Sequence, residues 1–248
     1  MFWKAVYVIC LRDIRRFFRE KSQVIGSIAR PALWLAIMGT GFNTVFSSSG
    51  SDNYAQFLFP GIIGMTVLFT SVFSAVSVIW DRQFGFLREM LVAPVSRTSI
   101  AVGKTLSGCF QSLIQGSIIM VLSFIVDVHL SPLIIVQVLA IILLASFALT
   151  SMGLLIASRM PSFEGFNLIM NFLVMPMFLM SGAFFPISGL PAWMKSIVTI
   201  NPLSYGVDAL RGVILGFHEH ALTTDILFMA GFAIIMTAVA VTAFNKAE

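Results

Sequence analysis

Charged side chains are scarce in this sequence. Only 10% of its 248 residues are Asp, Glu, Lys or Arg, whereas 58% are hydrophobic. Because a soluble domain carries about 25% charged residues, this composition excludes a soluble globular protein and indicates an integral membrane protein. The formal net charge of +4 does not indicate a nucleic-acid partner, because the basic residues follow the predicted membrane topology. At this length we expect no separate soluble domain of useful size.

Cysteine is rare, and the N-terminus lacks the pattern of a cleaved leader. The two cysteines, Cys10 and Cys109, fall near the predicted inner side of the membrane, so we expect no external disulfide. The first residues are charged and amphipathic, without an apolar core and a small-residue cleavage site. We therefore expect no cleavable signal peptide.

The sequence contains no recognisable enzyme active site. Gly103–Thr105 reads GKT, as in a nucleotide-binding loop, but that motif needs a glycine five residues before Gly103, where Thr98 stands. We therefore expect no ATP site in this chain. His218 and His220 flank a carboxylate without the H-E-x-x-H spacing. They are typical of an ordinary polar patch, and whether they bind a metal stays open.

Acidic residues are missing from the interiors of the apolar runs. All eleven Asp and Glu residues fall at predicted span ends or in loops. Ion-coupled transporters usually keep an ionisable group inside the membrane, so this pattern disfavours an ion-coupled carrier. Arg30 is the one basic residue within a predicted span. It precedes Pro31 near the inner end, where it can snorkel to the interface or pair with Glu89 or Glu164.

Six apolar runs are long enough to cross a bilayer, since about 20 residues suffice at 1.5 Å per residue. We place these spans at 24–46, 55–80, 105–126, 132–157, 166–185 and 223–245. With the N-terminus inside, every Lys and Arg except Lys195 and Arg211 falls on the inner side. This asymmetry follows the positive-inside rule. It predicts cytoplasmic termini and an even number of spans.

Residues 1–21 have the pattern of a helix that lies on the membrane. The basic residues from Lys4 to Arg19 fall within an arc of about 120°, and aromatic and aliphatic residues occupy most of the remainder. Such a helix suits the interface beside anionic headgroups. It is either a plain anchor or an anchor that also cradles a cytoplasmic partner.

The segment 81–104 interrupts the apolar runs with a helical pattern of its own, and we expect its charged residues to lie in water. Pro94 breaks this helix, and Ser96 or Thr98 is placed to cap the next one. The apolar residues recur at spacings of three and four, which describes one face of a short helix: Phe84, Leu87, Leu91 and Val95. We interpret the segment as a docking element.

The segment 186–222 is too irregular for a span and too apolar for an ordinary loop. Prolines and glycines divide it into short pieces. Two short helices that dip back into the outer leaflet would bury its apolar residues, provided that protein covers their polar ends. The alternative is a helical cap that lies on the outer surface.

Two stretches resemble a known family. Residues 86–108, FLREMLVAPVSRTSIAVGKTLSG, resemble the segment after the second span in permeases of the type-2 ABC export class, which includes the G-subfamily half-transporters. There a coupling helix rests on an ATPase subunit. Ser181–Gly216 is similar to that family's external re-entrant segment before the last span. The resemblance implies an all-α, six-span permease domain over 1–248 with an interfacial N-terminal helix.

The resemblance also implies roles for residues of this sequence. The residues expected to couple to the ATPase are Leu87, Arg88, Glu89, Leu91, Pro94, Val95 and Arg97. The residues expected to line a translocation path from spans two and five are Thr66, Phe69, Thr70, Phe73, Asn167, Met170, Asn171 and Met175. The residues expected in the external re-entrant segment are Phe185, Pro186, Trp193, Asn201, Pro202 and Tyr205.

The expected path is an apolar, adaptable wall with a few amides, because methionine fits varied shapes. The small polar residues of the spans have an alternative role in helix packing. We expect Pro176 to kink the fifth span.

The function implied by the resemblance is that of a membrane subunit of an ATP-driven exporter in the bacterial cytoplasmic (inner) membrane. Two copies of a separate ABC ATPase would bind ATP and Mg, and a second copy of this chain would complete the path. We expect contacts with membrane lipids, none with nucleic acid, and no catalytic, cofactor-binding or metal residues. The expected substrate is hydrophobic or amphipathic, drug- or lipid-like. Export of a polysaccharide or glycolipid is the alternative, followed by an ion-coupled carrier or channel.

Overall fold

The computed structural model describes residues 2–47, 54–92 and 95–246, and in these ranges the chain is helical without strands. The α-helices in chain order are α1 (Phe2–Arg19), α2 (Lys21–Ser47), α3 (Tyr54–Ser74), α4 (Val76–Gln83), α5 (Phe86–Val92), α6 (Arg97–Val121), α7 (Pro132–Arg159), α8 (Phe163–Ile169), α9 (Met175–Leu179), α10 (Ala192–Ile200), α11 (Pro202–Leu215) and α12 (Leu222–Lys246). The all-α prediction is confirmed.

Within the described ranges, five helical segments are long and apolar enough to cross a membrane. They are Val24–Phe42, Tyr54–Gln83, Arg97–Phe124, Pro132–Arg159 and Leu222–Ala243. In place of the predicted span 166–185, the structure has the shorter apolar helix Phe163–Leu179. Residues 97–104 form the first two turns of α6, so the helix of the predicted span 105–126 already begins at Arg97. Ser96 caps this helix as predicted, because its side chain accepts a hydrogen bond from the Ser99 N–H at 3.2 Å.

Helix α3 lies at the centre of the bundle, in contact with α2, α6, α7 and α11, while α12 packs along α7. Small residues allow close approach, as is common between membrane helices. A Cβ on Gly64 of α3 would lie 2.7 Å from Val207 Cγ2 of α11. A Cβ on Gly153 of α7 would lie 3.0 Å from the Val72 Cα of α3. These contacts bury most of α3.

Helix α1 is amphipathic as predicted, and its apolar face packs on α6. Its buried residues recur at helical spacing and are Val6, Ile9, Cys10, Asp13 and Phe17. Gly103 of α6 makes room for this contact, since a Cβ there would lie 3.1 Å from the Ile9 Cβ. One member of the buried face is an acid, which the apolar pattern did not predict.

A π-helical turn, Met170–Val174, joins α8 to α9 just before Pro176. Pro176 has no N–H to donate, and the N–H of Met175 reaches back five residues to the Met170 carbonyl. This widened turn lies just before Pro176, the residue predicted to kink the helix.

The segment 186–222, predicted to lie outside and called the outer segment below, contains two short helices, α10 and α11, joined at Asn201. Helix α11 packs against α3, α7 and α12 and is buried along most of its length, whereas α10 is mostly exposed. Gly216, with φ of 73°, ends it in the left-handed conformation that favours glycine.

Candidate functional site

A cavity of about 300 Å³ lies between α1, α2, α3 and α6. Its walls combine aromatic and aliphatic side chains with hydroxyls, amides and one guanidinium. The lining residues are Phe17, Gly26, Arg30, Pro31, Met65, Thr66, Phe69, Thr70, Phe73, Gln111 and Gln115.

One face of α3 supplies the predicted part of this lining. Thr66, Phe69, Thr70 and Phe73 recur at spacings of three and four, so a single helical face carries all of them. The rings of Phe69 and Phe73 stack with centroids 6.3 Å apart, and both are half-buried. The hydroxyl of Thr66 donates to its own helix, at 2.9 Å from the Ile62 carbonyl.

Two glutamines of α6 complete the polar part of the cavity and were missed from the sequence. Gln111 and Gln115 are one turn apart and buried, and the Thr70 hydroxyl donates to Gln115 Oε1. Thr70 thus lines the cavity and also joins two helices, as the packing alternative proposed. Two amides spaced by four residues within an apolar run were the signal available in the sequence.

Arg30 also lies at this cavity, and among the described residues it does not form the ion pair that was one of its two predicted alternatives. Arg30, Glu89 and Glu164 are all exposed. The structure shows no ion pair between Arg30 and either glutamate.

The residues predicted for the path from the fifth span do not reach this cavity. Met170 is buried and Asn167 is half-buried, while Asn171 and Met175 are exposed on the protomer surface. The fifth-span region meets α3 elsewhere, through Phe178 of α9, whose ring centroid lies 5.8 Å from that of Phe69 in an edge-to-face contact.

A buried charge cluster joins α1, α4 and α6 beside the cavity; it consists of Arg12, Asp13, Asp81 and Lys104. The Lys104 ammonium lies 2.9 Å from Asp13 Oδ2 and 2.5 Å from Asp81 Oδ2. The Arg12 guanidinium lies 2.6 Å from Asp81 and 2.8 Å from Asp13. The expectation that Asp81 and Lys104 lie in water was wrong, because α1 covers them and Asp13 supplies a second counter-charge.

A second cavity of about 390 Å³ adjoins the charge cluster. It shares Phe17, Phe73 and Gln111 with the first cavity, and Asp13 and Ser77 connect it to the cluster. The two cavities therefore follow α3 and α4 from the apolar core toward the end of the bundle that carries the charges.

Cations and aromatic rings hold the end of α4 in place. Arg82 donates to the carbonyls of Ser158 and Met160, each at 2.8 Å, at the end of α7. The Arg12 guanidinium lies 4.4 Å from the ring centroid of Phe86. Helix α4 and the start of α5 are thereby tied to α1 and α7.

The predicted docking segment presents apolar side chains to solvent. Phe84 is 75% exposed and Val92 is 87% exposed. Glu89 is exposed, while Val95 and Arg97 are half-buried. Pro94 lies outside the described residues, and so do the side chains of Leu87, Arg88 and Leu91.

The predicted outer-segment residues divide into an exposed and a buried group. Phe185, Pro186 and Trp193 are exposed. Asn201 and Tyr205 are buried: the Asn201 amide donates to the Met177 carbonyl at 2.6 Å, and the Tyr205 hydroxyl donates to the Thr199 carbonyl at 2.8 Å. Pro202 is buried as the first residue of α11.

Several charges in α11 and at the start of α12 are buried, which the sequence did not predict. Asp208, Arg211 and Asp225 each have at most 2% of their surface exposed. Arg211 donates to the Gly182 carbonyl at 2.8 Å, and its guanidinium lies 4.0 Å from the ring centroid of Phe57. Burial lowers the pKa of Arg211 to about 10, so it stays cationic near pH 7.

Comparison with known proteins places these features in a family. Residues 4–215 match the family model described as ABC-2 type transporter. The chain is 31% identical over 236 residues to transport permease ycf38 of Cyanophora paradoxa, covering 93% of this chain and 80% of that protein. It is 25% identical over 242 residues to inner membrane transport permease YadH of Escherichia coli K12, covering 95% and 94%. It is 23% identical over 197 residues to nodulation protein J of Rhizobium leguminosarum bv. viciae, covering 79% and 76%.

Proposed function

The chain belongs to the ABC-2 type transporter family, and we propose that it is the permease subunit of an ATP-driven exporter. It is a multi-pass membrane protein and a transport permease. Membrane subunits of this family have no ATPase domain of their own, so a separate ABC ATPase would bind ATP and Mg and supply the energy. The YadH relative is named an inner membrane permease. This name and the positive-inside pattern support an inner-membrane location with both termini cytoplasmic.

The cavity along α3 is the observation that carries the proposal. Phe69 and Phe73 form an apolar wall, and the Thr70–Gln115 hydrogen bond places a polar group on the same surface. Such a mixed lining suits a hydrophobic or amphipathic solute, which supports a drug- or lipid-like substrate. The buried amides of Gln111 and Gln115 favour the second candidate, a polysaccharide or glycolipid, because amides can hydrogen-bond sugar hydroxyls.

A two-fold dimer is part of the proposal, because a cavity of about 300 Å³ in one protomer is small for a large solute. Asn171 and Met175, predicted to line the path, are exposed on the protomer together with Phe172. A second copy would cover them in a symmetric contact. A cysteine at Phe172 is expected to crosslink two protomers, and the absence of crosslinks in membranes would contradict the shared path.

Six spans are also proposed, with Phe163–Leu179 as the fifth. It is 17 residues long and mostly apolar, and it follows the charged end of α7; this length is within the range of short spanning helices. The segment that follows would then re-enter from the outside. The buried position of α11 against α3 and α12 supports this arrangement.

The docking segment is the proposed site of coupling to the ATPase. Phe84 and Val92 expose apolar surface next to a charged end of the bundle, which is typical of a protein contact. The charge cluster and Arg82 tie the neighbouring helices α4 and α5 to α1 and α7. A displacement imposed on α5 would therefore be passed to α4 and so to the cavity face of α3.

Copurification tests this proposal. We expect Phe84→Asp and Val92→Asp each to reduce, on the order of 10-fold, the amount of ATPase that copurifies with the tagged permease, because each places a charge in an apolar contact. The ATPase is identified by mass spectrometry as a chain with nucleotide-binding motifs. The matched control is Phe124→Asp, which changes another exposed phenylalanine just beyond the other end of α6. Wild-type copurification and ATP-dependent transport in both variants would show that this segment is not the docking site.

A further inference from the structure

Two acids and a histidine meet where α11, the loop after it and α12 come together. Asp208 lies in α11, His220 lies in the loop, and Asp225 lies in the first turn of α12. One ligand atom from each residue lies within 4.8 Å of the other two. We call these three residues the outer acid–histidine cluster. Because its members come from separate elements, the cluster is a product of the tertiary structure.

Asp225 is the unexplained member of the cluster. It is 0% exposed, and within the described chain neither of its carboxylate oxygens has a hydrogen-bond partner. A buried carboxylate is normally paired, hydrogen-bonded or bound to a cation. The salt bridges of the described residues do not include Asp225, so within the described chain its buried carboxylate has neither a hydrogen bond nor an ion pair.

Asp208, by contrast, is hydrogen-bonded to the loop between α11 and α12. Its carboxylate accepts hydrogen bonds from the backbone N–H of Glu219 at 2.9 Å and of His220 at 2.8 Å. Its Oδ2 lies 3.2 Å from His220 Nδ1. The nearby cation Arg211 is directed to the Gly182 carbonyl and is not within ion-pair distance of either acid. The two buried carboxylates of Asp208 and Asp225 therefore lie side by side. The imidazole of His220 lies on their solvent side.

The geometry points to a divalent transition-metal site at the outer acid–histidine cluster, with Zn²⁺ as the cation that fits best. One imidazole nitrogen and two carboxylate oxygens are a ligand set that zinc accepts, with water in the fourth position. An imidazole ligand disfavours Mg²⁺ and Ca²⁺, which prefer oxygen. The 3.2 Å between Asp208 Oδ2 and His220 Nδ1 is about the separation of two ligands on one tetrahedral Zn²⁺, given bond lengths of roughly 2.0–2.2 Å.

A cation here would bridge α11, the loop and α12. The side chain of His220 is 44% exposed and lines a surface cavity of about 260 Å³, so a metal has a route from solvent. Asp208 and Asp225 close the inner side of the site. The bound cation would neutralise Asp225 and fix the last span to the buried outer helix. This inference does not depend on the proposed export function.

Metal binding is measured on the full-length permease, purified in detergent through a tag without histidine and stripped with EDTA. After equilibration with Zn²⁺, elemental analysis is expected to find one bound Zn²⁺ per wild-type chain. Asp225→Asn and His220→Ala are each expected to weaken Zn²⁺ binding on the order of 100-fold, because each removes one of three ligands. The matched control is His218→Ala, an exposed histidine two residues away, which is expected to bind as the wild type does.

Thermal unfolding is the second readout. Zn²⁺ is expected to raise the Tm of the wild type, because a ligand that binds only the folded state stabilises it, and to leave the Tm of His220→Ala unchanged. Without metal, Asp225→Asn is expected to be at least as stable as the wild type, since it removes a buried unpaired charge. If Asp225→Asn does not fold, His220→Ala decides the result, because His220 lies in a loop with its side chain 44% exposed. Less than about 0.1 Zn²⁺ per wild-type chain, or equal binding in His220→Ala and His218→Ala, would overturn the site.

Discussion

Lys104 is the residue on which the charge cluster depends. Its ammonium is almost completely buried and contacts both Asp13 and Asp81, and Ser77 accepts a further hydrogen bond from it at 3.0 Å. Burying charges costs free energy that only well-placed partners offset. Such a cluster does not show that the protein is unusually stable, but it makes the fold sensitive to the loss of one member.

Replacing Lys104 by methionine tests this sensitivity. Lys104→Met keeps the length of the side chain and leaves two buried carboxylates with Arg12 alone. We expect the free energy of unfolding to fall by about 3–5 kcal/mol, as when a buried ion pair loses one partner. The measurement is denaturant or thermal unfolding in detergent micelles.

The control for Lys104 is Glu20→Gln in the exposed pair of Arg16 and Glu20, four residues apart on the surface. Exposed pairs of this kind contribute about 0.3–0.5 kcal/mol, so the control is expected to change little. Equal losses of stability in Lys104→Met and Glu20→Gln would contradict the assignment of a buried cluster.

At the scale of elements, the packing around α3 depends on contacts in which there is no room for a side chain. A Cβ on Gly61 would lie 2.7 Å from the Ala183 carbonyl oxygen and 2.9 Å from the Ala183 Cα, in the turn that follows α9. Backbone atoms cannot rotate away as a flexible side chain can. The contact therefore fixes the distance between α3 and the start of the outer segment.

Gly61→Ala is expected to destabilise the permease by about 1–3 kcal/mol through overpacking. The matched control is Gly231→Ala in α12, where a Cβ would meet nothing within 4 Å. That change is expected to be neutral or stabilising, because alanine favours a helix over glycine. Thermal unfolding of both variants decides the comparison. Similar stability of the two would show that α3 and the turn separate easily.

At the scale of the whole molecule, the two ends of the bundle are chemically different. One end carries the charge cluster and the exposed Phe84 and Val92, while the other carries α10, α11 and the outer acid–histidine cluster. The positive-inside pattern assigns the first end to the cytoplasm. This orientation is part of the proposed function and predicts which positions an impermeant reagent can reach.

Cysteines at the exposed positions Gly189 and Thr223 are expected to react with an impermeant maleimide in intact cells. Cysteines at the exposed positions Gln83 and Ser96 are expected to react only after the membrane is permeabilised. Labelling is read as a mass shift of the permease on a gel. The reverse pattern would overturn the proposed orientation, and labelling of all four in intact cells would contradict the arrangement of spans.

The native cysteines should give little background in this experiment. Cys10 and Cys109 are both buried. Burial, and then the negative charge of Asp13, raises the pKa of the Cys10 thiol. At neutral pH little of the reactive thiolate is therefore present. The wild-type chain is the control, and it is expected to stay unlabelled in intact cells.

Much of the fold was determined by the sequence alone, because its signals are local. The amphipathic pattern of α1, the Ser96 cap and the apolar lengths of the long spans depend on residues within a few turns of one another. Thr66, Phe69, Thr70 and Phe73 were expected at the path because of the family resemblance, and their spacing of three and four is also a local feature of the sequence. These features need no knowledge of the rest of the chain.

Only the tertiary structure decided which charges are buried and which faces meet. Asp13 and Lys104 are 91 positions apart in the sequence, and the pattern of each helix alone indicates solvent for both. Gln115 of α6 accepts a hydrogen bond from Thr70 of α3, so its partner comes from another helix. Asp225 becomes a buried, unpaired carboxylate only when α11 and the loop after it cover it. The physical reason is that desolvation depends on what packs over a group. In this chain the covering groups come from distant parts of the sequence.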